Sequence, residues 1–198
     1  MIAIVDYGMG NIASVSNALT SLGYENCITD QASVLEEATH IILPGVGSFQ
    51  AAVEEIDTRG LRPILSRLSK DKPFLGICLG MQLLFEKGNE GGNSSGLSLI
   101  PGSVEKIETD LILPHIGWNT LEIMGEQNVF KGFQSKHVYF VHSYRANTPK
   151  EYIVASTEYG SDIPAVVQNG KVVGMQFHPE KSGDTGLGLI QTFIQQFK

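Results

Sequence analysis

Through the first 85 residues of this chain, short apolar runs alternate with amphipathic stretches. The runs Ile2 to Val5, Tyr24 to Thr29, His40 to Leu43 and Lys72 to Cys78 read as strands. Between them lie helical patterns. One puts Ile12, Val15, Leu19 and Leu22 on a single face and stops at Gly23. A second opens on Ser33 and Glu36, spaced as a capping box. Two more cover Phe49 to Ile56 and Leu61 to Ser69, and another runs from Cys78 through Phe85. A strand that is apolar throughout must be covered on both faces, and strand–helix–strand order makes neighbouring strands parallel. The expected fold is α/β: three layers, with helices on both faces of a mainly parallel but mixed sheet.

The second half changes character. Residues 88–96, rich in Gly, Asn and Ser, read as a flexible loop. Strand-like segments then crowd together at Val104 to Ile107, Val138 to Tyr144, Tyr152 to Ser156 and Ala165 to Gln168. Asn169-Gly170 is a two-residue hairpin signal joining that last run to Lys171 to Phe177. A final helix starts near Asp184 or Thr185 and turns Leu187, Ile190, Ile194 and Phe197 inward. No repeat or linker interrupts the pattern, so residues 1–198 are expected to form one domain. A net charge of −7 argues against nucleic-acid or anionic-membrane partners. The first strand begins at once, with no leader before it, which sets the expectation of a cytoplasmic protein. Two cysteines, Cys27 and Cys78, are too few for a disulfide framework at this size.

The chemistry gathers at two places. Cys78 sits in Gly76-Ile77-Cys78-Leu79-Gly80, between a strand and a helical pattern. A tight turn there lifts one side chain above the sheet end and onto a helix N-terminus, whose dipole favours a nucleophilic thiolate. A buried cysteine is also an ordinary small apolar residue, but paired glycines fit a tight turn better. A hundred residues later comes His178-Pro179-Glu180. It is either a solvated turn at a strand end or a general base with its orienting carboxylate. No further ligands stand at metal-binding spacing. Pro44-Gly45-Val46-Gly47 lies at the carboxyl end of a neighbouring strand, where parallel sheets bind ligands. It reads as a plain turn or as a source of N–H groups for an oxyanion. Trp118, the only tryptophan, lies in an irregular segment, Pro114 to Asn119, and is either core or an anchor for a partner.

These residues resemble the class I, triad-type glutamine amidotransferases. Within them the chain is similar to the glutaminase subunits of imidazole glycerol phosphate synthases. The resemblance spans essentially the whole chain. It rests on Asp6-Tyr7-Gly8-Met9-Gly10-Asn11, Pro44-Gly45-Val46-Gly47-Ser48-Phe49, Gly76 to Gln82, Pro114-His115-Ile116-Gly117-Trp118-Asn119, Phe140 to Tyr144 and Phe177-His178-Pro179-Glu180-Lys181-Ser182. It implies a flavodoxin-like fold, a Cys78–His178–Glu180 triad, and an oxyanion site from the N–H groups of Leu79 and Val46. Gly47, Gln82, Glu90, His142, Ser143 and Tyr144 would grip L-glutamine, although a glutamate in a loop is ordinarily just solvated. Asn11, Ile116, Trp118, Tyr139 and Lys181 would face a synthase (cyclase) subunit, a (β/α)8 barrel, in a heterodimer. No metal and no cofactor is called for.

The implied reaction is glutamine hydrolysis through a Cys78 thioester. The ammonia passes to the partner, which makes imidazole glycerol phosphate and an aminoimidazole carboxamide ribotide in histidine biosynthesis. Because Val46 is not a glycine, turning its N–H inward should cost strain, so the isolated chain is expected to be slow. Three rivals stand beside this reading. They are a glutaminase serving another synthase, such as the pyridoxal phosphate type, a binding subunit without chemistry, and a Cys-His peptidase.

Overall fold

The computed structural model describes residues 1–197. Lys198, inside the expected span of the domain, lies outside the described residues. The first half runs β1 (Ile2–Val5), α1 (Ile12–Ser21), β2 (Asn26–Thr29), α2 (Ala32–Glu37), β3 (His40–Gly45), α3 (Phe49–Thr58), α4 (Leu61–Asp71), β4 (Phe74–Cys78) and α5 (Leu79–Gln82). The second half adds β5 (Lys87–Gly88), β6 (Ser94–Ser95), β7 (Ser103–Lys106), β8 (His115–Thr120), β9 (Glu122–Ile123), β10 (His137–His142) and β11 (Tyr144–Asn147). It closes with β12 (Ile153–Glu158), β13 (Asp162–Asn169), β14 (Val172–Met175) and α6 (Gly183–Gln196).

The main sheet has the order β2-β1-β3-β4-β14-β13-β12-β9. Its first five strands are parallel neighbours and the last three join antiparallel. Mixed pairing follows from the connections. Helices return the chain across the sheet in the first half, while the Asn169-Gly170 turn reverses it in the second (Asn169 pairs with Val172). Alternate strand residues feed two cores. Ala3, Val5, Ile41, Leu43 and Phe74 meet α2 to α5 on one face. Ile2, Ile4, Ile42, Leu75 and Ile77 meet α1, α6 and β10 on the other. Helix α4 shows why its segment is helical. Leu61, Ile64, Leu65 and Leu68 repeat at helical spacing and all are buried.

Four local expectations are corrected. Helix α2 is capped at Gln31, without a side-chain bond, so Ser33 lies inside it and no capping box forms. The helix after Cys78 ends at Gln82 rather than Phe85. The carbonyls of Leu83, Leu84 and Phe85 instead accept bonds from the N–H groups of Leu97, Leu99 and Ser98. The 88–96 loop is pinned at both ends, with Lys87 paired to Ser95 and Gly88 to Ser94. Residues 115–119 are not irregular. They form most of β8, which pairs antiparallel with β10.

Candidate active site

Cys78 ends β4 with φ 54° and ψ −112°, left-handed backbone that costs a non-glycine residue about 1–3 kcal/mol. The flanking glycines make the turn fit. A Cβ on Gly80 would overlap the Leu43 carbonyl oxygen, and one on Gly76 would lie 2.5 Å from the Gly80 carbonyl oxygen. Strand β3 therefore passes directly against the start of α5. With a single turn, α5 has too few aligned peptides for the dipole expected to favour the thiolate. The perturbed group is His178 instead. Burial disfavours its charge, but the neighbouring Cys78 and the hydrogen-bonded Glu180 outweigh that and raise it to about 9.

His178 is held at several points. Its Nδ1 lies 2.8 Å from Glu180 Oε1, and its backbone N–H donates to the Tyr139 carbonyl at 2.9 Å. Ser182 Oγ donates to the His178 carbonyl at 2.7 Å and accepts from Tyr139 N at 2.9 Å. A 3-10 turn, Pro179–Lys181, folds Glu180 behind the imidazole, where both side chains are almost fully buried. The acid can only orient and stabilise the ring from there, because it does not line the cavity.

That cavity, about 210 Å3, is lined by Val46, Gly47, Cys78, Leu79, Gln82, Glu90, Val141, His142, Ser143, Tyr144 and His178. Every residue expected to grip substrate or oxyanion lies on this one wall. Glu90 accepts from Phe49 N at 3.2 Å at the start of α3, and partial burial raises its carboxyl, which an incoming ammonium would reverse. Gln82 spends its amide N–H groups on the Tyr144 carbonyl (3.3 Å) and Gln176 Oε1 (3.1 Å). Its Oε1 is the atom left to meet a donor. His142 lines the wall with its ring rather than its nitrogens, since both nitrogens have protein partners. The left-handed φ of the 44–47 loop falls on Gly47 (φ 110°), and Val46 has none.

The residues expected to face a partner sit on adjoining elements. Ile116 (59%) and Trp118 (57%) are exposed, Trp118 meets Tyr139 edge-on, and Lys181 and Asn11 lie on the 3-10 turn and the α1 start that pack together. Sequence reading missed Gln176, the Ser182 brace, and Val141, whose carbonyl is 4.0 Å from Cys78 Sγ. The Ser182 signal was present, four residues past the histidine. Gln176 and Val141 carry no local signal.

Residues 3–196 match the family model described as glutamine amidotransferase class-I, and the chain belongs to that family. Relatives place it more narrowly. The "Imidazole glycerol phosphate synthase subunit HisH" of Exiguobacterium sibiricum is 49% identical over 191 residues, covering 96% of this chain and 93% of its own. The subunit of the same name from Listeria monocytogenes is 46% identical over 196 residues, covering 98% and 94%. A solved structure described as "Crystal structure of glutamine amidotransferase" shares the fold, with a TM-score of 0.79 at 22% identity and 98% of both chains covered.

Proposed function

We propose that this chain is the glutaminase subunit of an imidazole glycerol phosphate synthase, with residues 1–198 working as one domain. The observation that carries the reading is that Cys78 and His178 line one cavity, with Glu180 hydrogen-bonded behind the imidazole, from segments a hundred residues apart. The Cys78 thiolate attacks the side-chain carbonyl carbon of glutamine, and His178 receives the thiol proton. The tetrahedral oxyanion meets the N–H of Leu79 and, from the facing loop, that of Val46. When the C–N bond breaks, His178 returns a proton to the leaving nitrogen and ammonia departs. Water then adds to the γ-glutamyl thioester, giving glutamate and restoring the thiol. Glu180 keeps the imidazole in one tautomer and stabilises its cation. Glu90 pairs with the substrate ammonium, and Gln82 Oε1 and the peptide groups of residues 142–144 hold the rest.

Ammonia is passed to a synthase (cyclase) subunit, a (β/α)8 barrel, in a cytoplasmic heterodimer. The exposed Ile116 and Trp118 beside Tyr139 support a docking face there, and the names of the relatives support a synthase subunit. Among the described residues no helix is long and apolar enough to cross a membrane. Two tests apply. Cys78→Ala in the complex should abolish glutamine-dependent synthesis and leave synthesis from ammonium salts intact. Loss of both would point away from an ammonia-donating subunit. Glutaminase turnover should also rise when the partner and its nucleotide are added, and equal rates would refute that coupling.

A further inference from the structure

A series of hydrogen bonds leads from strand β8 to the cavity wall. Asn119 Oδ1 accepts from Thr120 N at 2.8 Å, which turns Nδ2 the other way. Nδ2 donates to the Glu158 carbonyl at 2.8 Å and reaches His115 Nε2 at 3.4 Å. His115 Nδ1 lies 3.1 Å from His142 Nε2, and His142 Nδ1 lies 2.8 Å from the Tyr144 carbonyl. A carbonyl only accepts, so His142 Nδ1 carries a proton and the ring's Nε2 accepts. His115 Nδ1 is then the donor, and its Nε2 accepts from Asn119. One proton arrangement satisfies every link, and in it both rings are neutral. Burial acts the same way, disfavouring charge on both and lowering His142 to about 4.

His115 is fixed in this series by stacking. Its ring centroid lies 3.9 Å from that of Tyr159 and 4.8 Å from that of Phe140, with planes within 20°. It is buried and does not line the cavity. The Tyr144 carbonyl at the far end also receives Gln82 Nε2–H, so the tautomer of His142 bears on two residues of the cavity wall.

We propose that His115 is a positioning residue for glutamine binding: by donating to His142 it sets that ring's tautomer, and through it the Tyr144 carbonyl and the Gln82 amide. The proposal rests on the glutaminase reading above. His115→Phe keeps a flat ring in the stack and removes the donor. His115→Asn restores an amide N–H near the position of Nδ1. Glutamate release is measured for each variant in complex with the synthase subunit. The Phe variant should raise KM for glutamine about tenfold with kcat little changed, the scale of one buried hydrogen bond withdrawn. The Asn variant should recover most of that loss, at melting temperatures that show both folded. An unchanged KM in the Phe variant, a loss confined to kcat, or an Asn variant no better than Phe overturns the proposal. Nitrogen-15 histidine spectra of the wild-type chain give a readout independent of any variant: the Nδ1–H tautomer is expected for His142, and the Nε2–H tautomer overturns it. A wild-type complex that releases no glutamate overturns the glutaminase reading instead, whatever the tautomer.

Discussion

Cys78 carries both the chemistry and the strain of this site. Its left-handed φ persists because Gly76 and Gly80 let β3 and α5 close around it. Cys78→Gly should therefore raise the melting temperature by about 2 °C, as strain is relieved in a chain of this size, while glutaminase activity disappears. Calorimetry decides, and an unchanged or lower value contradicts the strain. Glu180→Gln keeps the shape behind His178 and removes the negative charge, so kcat should fall by about 10³-fold or more. Glutamate release within a few-fold of wild type would deny Glu180 its role. The triad was readable because each piece is local, a Gly-x-Cys-x-Gly turn and a His-Pro-Glu run. Gln176 was not, because its partner Gln82 lies 94 residues away and nothing near either residue records the meeting.

Elements were read best where one physical signal dominates. Strands β1, β3 and β4 are buried at every position and α4 repeats with helical period, so their expected bounds lie near the observed ones. The sequence extends α5 too far because Leu83 and Leu84 are good helix formers, yet their carbonyls and that of Phe85 are taken by the 97–99 segment. Strand β8 was hidden by Pro114 and Gly117, the latter at φ 138°, since both residues signal loops. The contact between α5 and β3 makes a sharp prediction. Gly80→Ala pushes a methyl into the Leu43 carbonyl oxygen, so stability should drop by about 3 kcal/mol and the melting temperature by about 6–12 °C. A melting temperature within a degree of wild type would show that the two elements can part freely.

The whole molecule should be most stable near neutral pH. His178, raised from 6.5 to about 9, holds a proton in the folded chain that the unfolded chain loses, so its contribution is full below pH 6.5 and is lost as pH climbs through 9. His142, lowered to about 4, acts in the opposite sense: its contribution is present above pH 6.5 and is lost as pH falls through 4. Each limb is on the order of 3 kcal/mol. Denaturant titrations from pH 4 to 9 should give a dome, and Glu180→Gln should flatten its alkaline side. A wild-type alkaline side that is already flat would mean His178 holds no extra proton. The sequence alone determined the α/β class, the alternation that buries both sheet faces, and the local turns that present Cys78 and His178. These depend on neighbours within a few positions, so their physics is written in spacing. Only the tertiary structure decided the pairing of β8 with β10, the early end of α5, and the hydrogen bonds that join Gln82 to Gln176 and His115 to His142. Those bonds depend on which distant groups meet once water is excluded, and a donor's partner is chosen by proximity in space rather than by order along the chain.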